Sequence, residues 1–314
     1  MKNMIKNIPI PIAGVILGLT ALGNLIQDYS NNLRLLCGLV AGLLTILLSI
    51  KFIAYPKQIK EEYKNPIIAS VSATIFMSIM QLCTYVYPYV GHIAYYIWMI
   101  SVISHLILMV WYAKTFLFQF SLDQVFPTLF ITYVGIVVGS VTSAAFHKEH
   151  LGEILFWLGF ILYIFVFLLI TYRYMKVDLP ESAKPLFCIY TAPMSLSLTG
   201  YLTVSQNISL EFIFVLEILA QILYIMVLTQ LPKLLRLRFY PSYAAFTFPF
   251  VITAFGLKKF LAHLTSLNIA ISPILHALLI IETIIATLLV LYTLIHFVIY
   301  LIQHYKQGYQ LNVE

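Results

Sequence analysis

Two prolines inside apolar runs are the first features that could serve a chemical purpose. Pro193 follows Ala192, and Pro249 lies between Phe248 and Phe250. A proline within a helix removes a hydrogen bond and kinks the chain. In a bilayer the kink is tolerated where the freed carbonyl faces a cavity or another partner. A phenylalanine at such a kink, here Phe248, could close a narrow pathway. Alternatively, Phe248 is an ordinary packed side chain, since the chain has 22 phenylalanines.

Two acids, Glu217 and Glu282, interrupt apolar runs. An ionisable residue at membrane depth is a functional candidate by default. Gln221 follows Glu217 by one helical turn, which favours a hydrogen bond within the protein over a transport role.

Metal and cofactor chemistry have little support in the sequence. The tract His147–His150 with Glu153 has a generic spacing, and we expect a solvated loop there. The three cysteines form no CxxC pair, and no phosphate-binding loop or hydrolase motif occurs. We therefore predict no metal site, no cofactor and no enzyme activity.

Composition determines the class of protein that must position these residues. The 314 residues are 61% hydrophobic and 10% charged, with a mean hydropathy of +0.95. A soluble domain is about half apolar and a quarter charged. The composition excludes a cytosolic enzyme, a nucleic-acid-binding domain and a disordered chain. It predicts a lipid bilayer as the main partner, with the net charge of +6 placed in loops that orient the chain.

Apolar runs fill the sequence and predict ten spanning helices, since a span needs about 20 apolar residues. The runs are roughly Pro9–Ile26, Arg34–Ala54, Pro66–Val86, His92–Ala113, Pro127–Phe146, Ile154–Tyr172, Leu186–Val204, Leu210–Gln230, Ser242–Leu257 and Pro273–Ile302. The short connections leave no room for a soluble domain, so residues 1–314 are predicted to form one transmembrane domain.

Lysine and arginine counts predict the orientation. Ten spans place fourteen of the 18 basic residues on the side of the termini and four on the other. The four are Arg34, Lys148, Lys258 and Lys259. By the positive-inside rule both termini are cytoplasmic, in a plasma or bacterial inner membrane.

Prolines open or precede every odd-numbered run. They are Pro9, Pro66, Pro127, Pro185 and Pro241, at spacings of 57, 61, 58 and 56 residues. This regularity predicts five tandem helical hairpins, roughly 1–55, 56–115, 116–176, 177–232 and 233–314, arranged around an axis along the membrane normal.

Small residues distinguish the odd runs from the even ones. Gly, Ala, Ser and Thr form 36 of 94 residues in the odd runs and 19 of 113 in the even runs. Small residues permit close helix approach, so we expect odd helices inside, around a narrow pore, and even helices outside. The odd runs contain no Asp, Glu, Lys, Arg or His, which favours passive conduction over proton coupling.

Small and hydroxyl-bearing residues of the odd runs are candidates to line the pore: Gly14, Gly18, Ser143, Ser195, Thr247 and Thr253. Lys258 and Lys259 follow the ninth run. They could concentrate anions at a pore mouth or simply snorkel to the interface.

Several short motifs, in order, resemble a known family. They are Ile12–Leu19, Asn65-Pro66, Ala192-Pro193, Phe246-Thr247-Phe248-Pro249 and Thr293-Leu294-Ile295-His296. Together they resemble the tellurite-resistance/dicarboxylate transporter family, also called the voltage-dependent anion channel family. The resemblance implies an all-α fold of five hairpins around a pore, a homotrimer, and a pore gate at Phe248. Phe250 departs from the methionine found there in plant members.

The expected function is an anion channel for small anions such as chloride or nitrate. One alternative is a carrier for dicarboxylate, sulfite or tellurite-related anions. A non-conducting membrane scaffold is the third possibility.

Overall fold

A computed structural model describes residues 2–118 and 120–310 of the chain. Within those ranges the regular structure is helical, without strands. The α-helices are α1 (Lys2–Lys6), α2 (Ile12–Leu25), α3 (Asn31–Ala54), α4 (Pro56–Glu62), α5 (Pro66–Val71), α6 (Ala73–Val90), α7 (His92–Tyr112), α8 (Thr128–Tyr133), α9 (Val137–Ser143), α10 (Glu149–Lys176), α11 (Ala192–Val204), α12 (Leu210–Leu234), α13 (Phe248–Ser266) and α14 (Pro273–Gln310). Helical turns of 3₁₀ type cover Leu122–Gln124, Ala144–Phe146, Glu181–Thr191 and Pro241–Phe246, and a π-helical turn covers Ala113–Leu117.

Seven helices in the described part of the chain are long and apolar enough to cross a membrane. They are Asn31–Ala54, Pro66–Val90, His92–Leu117, Glu149–Lys176, Leu210–Leu234, Pro241–Ser266 and Pro273–His304. Three predicted runs, the first, fifth and seventh, instead hold shorter or interrupted helices. The fold is therefore the expected all-helical one with several apolar spans, while the ten-span, five-hairpin arrangement stays a prediction.

Burial separates two kinds of helix. Among the seven long helices, the apolar segments of Pro66–Val90 and Pro241–Ser266 are 61% and 83% buried, against 17–33% for the other five. Helix α2 is also buried along almost its whole length. The exposed helices carry bulky apolar side chains outward, as expected for surfaces that face lipid.

Five buried helices contact one another in a closed ring. The contacts run from α2 to α6, α9, α11 and α13, and then back to α2. Each ring helix also packs against the helix that follows it in sequence: α3, α7, α10, α12 and α14, respectively. The core is therefore a ring of helices with a second layer around it.

Most ring segments are interrupted, whereas the outer helices are continuous. The chain breaks between α5 and α6 at Ser72, between α8 and α9 near Gly135, and at the 3₁₀ segments that precede α11 and α13. Asn65 caps the start of α5, because its side-chain oxygen accepts hydrogen bonds from the backbone N–H groups of Ile67 and Ile68. Interrupted helices suit a buried ring, since neighbouring helices can satisfy the freed backbone groups.

Candidate functional site

A large cavity of about 430 Å³ opens between the N-terminal ends of the ring helices. Every ring segment lines it, through Gly14 and Leu17, Thr74 and Met77, Val134 and Gly135, Ala192, Pro193 and Leu196, and Phe248 and Pro249. The entrance carries polar side chains, which are Lys6, Lys51, Gln58, Glu62 and Asn65. The cavity therefore has polar side chains at its mouth and a mostly apolar lining between the ring helices.

A smaller cavity of about 180 Å³ lies at the opposite ends of the same helices. Its lining is Ala21, Asn24, Gln81, Thr84, Val141, Thr142, Ala145, Ile252, Phe255 and Lys259. Four of the five ring helices or their 3₁₀ extensions contribute to it, so the two cavities enter the ring from opposite ends.

The two cavities share one face of α13 and one face of α2. On α13 the lining residues are Phe248, then Ile252, Phe255 and Lys259. These positions are spaced by four, three and four residues, which places them on one stripe of an α-helix. Gly14, Leu17, Ala21 and Asn24 form the equivalent stripe on α2. The cavities thus lie along one axis. They are separated between the level of Phe248, which lines the large cavity, and the level of Ile252, which lines the small one.

Phe248 stands at the inner end of the large cavity and is 6% exposed. It is the first residue of α13, directly after Thr247, whose backbone angles (φ −102°, ψ −95°) lie outside the helical region. The Thr247 hydroxyl reaches two carbonyl oxygens, at 2.8 Å on Gly14 and 2.7 Å on Ala244. The contact with Gly14 holds the start of α13 against α2.

Gly18 allows that close approach. A Cβ added at Gly18 would lie 2.5 Å from the Thr247 Cβ and 3.1 Å from the Phe248 nitrogen. Real Cβ atoms are not found at the shorter distance. The glycine therefore sets the spacing between α2 and the residue that ends the large cavity.

The two candidate prolines occupy a different position from the one expected. Pro193 and Pro249 lie in the first turns of α11 and α13, each after a 3₁₀ segment. A proline is well accommodated there, because the N–H that it lacks has no partner within the helix. The prolines therefore mark a change from 3₁₀ to α geometry and do not kink a continuous α-helix.

Of the candidate lining residues, Gly14 lines the large cavity, whereas Gly18 and the hydroxyl residues lie at contacts within and between helices. Ser195 donates to the Thr191 carbonyl at 3.1 Å and lies 3.3 Å from the Thr253 hydroxyl. Thr253 donates to the Pro249 carbonyl at 2.9 Å. Ser143 donates to the Ser140 carbonyl at 2.8 Å. These hydroxyls satisfy local backbone carbonyls.

The two candidate lysines lie inside α13 and not after its end, because this helix continues to Ser266. Their surroundings differ. The Lys258 ammonium lies 2.8 Å from Asp28 and 2.7 Å from the Leu25 carbonyl. Lys259 is half-buried and lines the small cavity. Its Nζ lies 5.9 Å from the centre of the Phe255 ring.

A buried ion pair at the mouth of the large cavity was not predicted. Lys51 is 1% exposed, and its ammonium lies 2.8 Å from Glu62 and 2.7 Å from the Ile8 carbonyl. Gln58 donates to the same carboxylate at 2.6 Å. The position of Lys51 within a largely apolar run could have indicated a buried partner. The sequence alone did not show that this partner is Glu62.

The intramembrane acids lie outside the cavities. Glu217 on α12 accepts a hydrogen bond from Gln221 at 2.8 Å, and Glu282 on α14 is buried. Neither lines the two cavities described here. Within the described residues, no group of three or more His, Cys, Asp or Glu side chains could hold a metal ion.

Comparison with known proteins identifies the family to which this ring belongs. Residues 7–299 match the voltage-dependent anion channel family. No curated protein matches the chain. The family match covers nearly the whole sequence and confirms the resemblance seen in the short motifs. The chain therefore belongs to the voltage-dependent anion channel family, whose members are anion channels or transporters in membranes.

Proposed function

We propose that the protein conducts small monovalent anions, such as chloride or nitrate, along the axis of the helix ring. The observation that carries this proposal is the pair of cavities that enter the ring from opposite ends and share one face of α2 and of α13. A pathway closed at one level is the arrangement expected of a gated pore.

Phe248 is the proposed gate. It lies where the large cavity ends, and its neighbours along the axis, Leu17, Met77 and Leu196, are also apolar. An apolar constriction of this kind excludes water and ions until it widens. The hydrogen bond from Thr247 to the Gly14 carbonyl on α2 fixes the backbone next to Phe248.

Passive flow is favoured over coupled transport. Glu217 and Glu282 lie on outer helices, away from both cavities. The one acid among the described residues that line either cavity, Glu62, is paired with Lys51 at the mouth of the large cavity. A proton-coupled pathway usually places ionisable groups along its length. Anions would therefore move down their own gradient.

The proposal includes a membrane arrangement. Both termini face the cytoplasm, as the fourteen-to-four distribution of basic residues indicates. The membrane is a plasma or bacterial inner membrane. Three copies form a homotrimer, an assembly that rests on the resemblance to the family.

Anion flux through purified protein in liposomes tests the gate. We expect Phe248→Ala to raise chloride or nitrate flux by about tenfold or more, because the alanine leaves the constriction open. Phe250→Ala is the matched control: Phe250 is fully buried and packs against Tyr224, with ring centres 5.8 Å apart. Equal flux in wild type and Phe248→Ala would reject Phe248 as the gate.

A carrier for dicarboxylate, sulfite or tellurite-related anions is the second candidate. The size of the large cavity favours it, since about 430 Å³ is within the range of sites that hold organic ligands. Saturable dicarboxylate uptake that depends on a pH gradient would support the carrier over the channel.

A further inference from the structure

The small cavity contains a polar cluster within an otherwise apolar ring. Asn24, Gln81 and Lys259 line it, from α2, α6 and α13. Gln81 is 4% exposed. Buried polar groups are costly unless they have partners, so the arrangement of their donors and acceptors is informative.

A chain of hydrogen bonds orients the two amides. Arg34 donates from Nε to the Asn24 side-chain oxygen at 3.1 Å. A guanidinium has only donors, so the opposite end of this amide is its NH₂ group, which donates to the Gln81 oxygen at 3.2 Å. Both amide oxygens are therefore engaged, and the Gln81 NH₂ is the end of the chain.

The neighbouring hydroxyls do not compete for that position as donors. The Thr84 hydroxyl donates to the backbone carbonyl of Gln81 at 2.8 Å, and the Thr142 hydroxyl donates to the backbone carbonyl of Val138 at 2.7 Å. Thr142 also accepts from the Trp98 ring nitrogen at 2.8 Å. The donors left for a ligand are the amide N–H groups and the Lys259 ammonium.

Charge points in the same direction. Lys259 lines the cavity, and no carboxylate is among the described residues that line it. Lys258, its neighbour in sequence, is instead neutralised by Asp28 at 2.8 Å. The small cavity thus combines one cation with oriented N–H donors and no competing acid.

We propose that the small cavity binds one small monovalent inorganic anion, held by the Lys259 ammonium and the Gln81 amide. The volume of about 180 Å³ has room for chloride or nitrate with a few waters, at about 30 Å³ per water. Lys259 is the one cation among the described residues that line the cavity, whereas Arg34 lies behind Asn24. A dicarboxylate, which would need a second cation in the lining, is therefore a poor fit. The inference rests on the proposed function, because it makes the small cavity an anion-binding site in the conduction pathway, on the opposite side of Phe248 from the large cavity.

Direct binding of radioactive chloride to the detergent-solubilised protein tests the site without needing an open pore. We expect saturable binding that nitrate displaces and succinate does not. Lys259→Gln weakens it by about tenfold or more, because hydrogen bonds to a charged group are the strong ones. Lys258→Gln is the matched control and leaves the affinity within about threefold, since Lys258 is held by Asp28.

Lys259→Arg keeps the positive charge and should restore most of the binding. Wild-type affinity in Lys259→Gln, or no saturable binding in wild type, would overturn the site. Flux through Phe248→Ala decides the proposed function separately. If Phe248→Ala conducts while Lys259→Gln binds chloride normally, the pore is supported and the binding site is rejected. If wild type binds chloride but Phe248→Ala does not conduct, the binding site is supported and the gate is rejected.

Discussion

At the scale of the residue, the ion pair between Lys51 and Glu62 is the most consequential buried contact at the mouth of the large cavity. Lys51 is almost fully buried, while Glu62 is 22% exposed. The loss of one partner leaves the other charge uncompensated, and the cost depends on which partner can still reach water.

Glu62→Gln should therefore lower the free energy of unfolding by about 2 kcal/mol or more, because the Lys51 ammonium loses its counter-charge. Lys51→Met should cost less, since the exposed part of Glu62 can be hydrated. Thermal unfolding in detergent measures both. The double variant should be no less stable than Glu62→Gln alone, and an additive loss would contradict the coupling.

Residue types alone allowed only part of the site to be predicted. Phe248 could be singled out from its position before Pro249, and it lines the large cavity. The hydroxyls of Ser143, Ser195 and Thr253 could not be assigned, because their direction depends on helix register and on which carbonyl each one satisfies. Asn24 and Gln81 went unnoticed for the same reason: their meaning comes from a contact between two helices.

At the scale of the element, close helix approach depends on individual glycines. Gly18→Ala should lower the free energy of unfolding by about 1–3 kcal/mol, since its methyl group would clash with the Thr247 side chain next to Phe248. Gly42→Ala on α3 is the control: a Cβ there meets nothing within 4 Å, and alanine should stabilise the helix by up to about 1 kcal/mol. Thermal unfolding of both variants checks the pair, and equal effects would remove the special role of Gly18.

Whether a helix faces lipid or the interior was more predictable than its length. The low content of small residues in the even runs predicted outer helices, and these helices do expose apolar side chains. Single-sequence hydropathy could not show that α2 and α11 are short, or that a break separates α8 from α9. Those breaks depend on tertiary contacts, which supply partners for backbone groups that a lone helix would leave unsatisfied.

At the scale of the whole molecule, the orientation in the membrane is open to a labelling test. Tyr29, in the loop after α2, is 70% exposed, and Lys57 on α4 is exposed at the other end of the bundle. In a Cys37→Ser background, we expect a membrane-impermeant maleimide to label Tyr29→Cys on intact cells. Lys57→Cys should react only after permeabilisation. The reverse pattern would place the termini outside.

Composition was enough to predict a membrane protein, and the family match agrees. The ring itself could not be derived from composition, since its closure depends on the contact between α13 and α2, more than 200 positions apart in sequence. The proline spacing hinted at repetition but carried no information on which helices meet.

The 3₁₀ segment Pro241–Phe246, just before Phe248, has a mechanical consequence. A 3₁₀-helix rises about 2.0 Å per residue and an α-helix about 1.5 Å. Rewinding these six residues as α-helix would shorten the segment by about 3 Å and draw the phenyl ring along the axis like a piston. Ser242 donates to the Ser182 carbonyl at 2.6 Å, which ties this segment to the neighbouring 3₁₀ segment Glu181–Thr191. The two 3₁₀ segments would move together, so a displacement of α13 would be transmitted to α11.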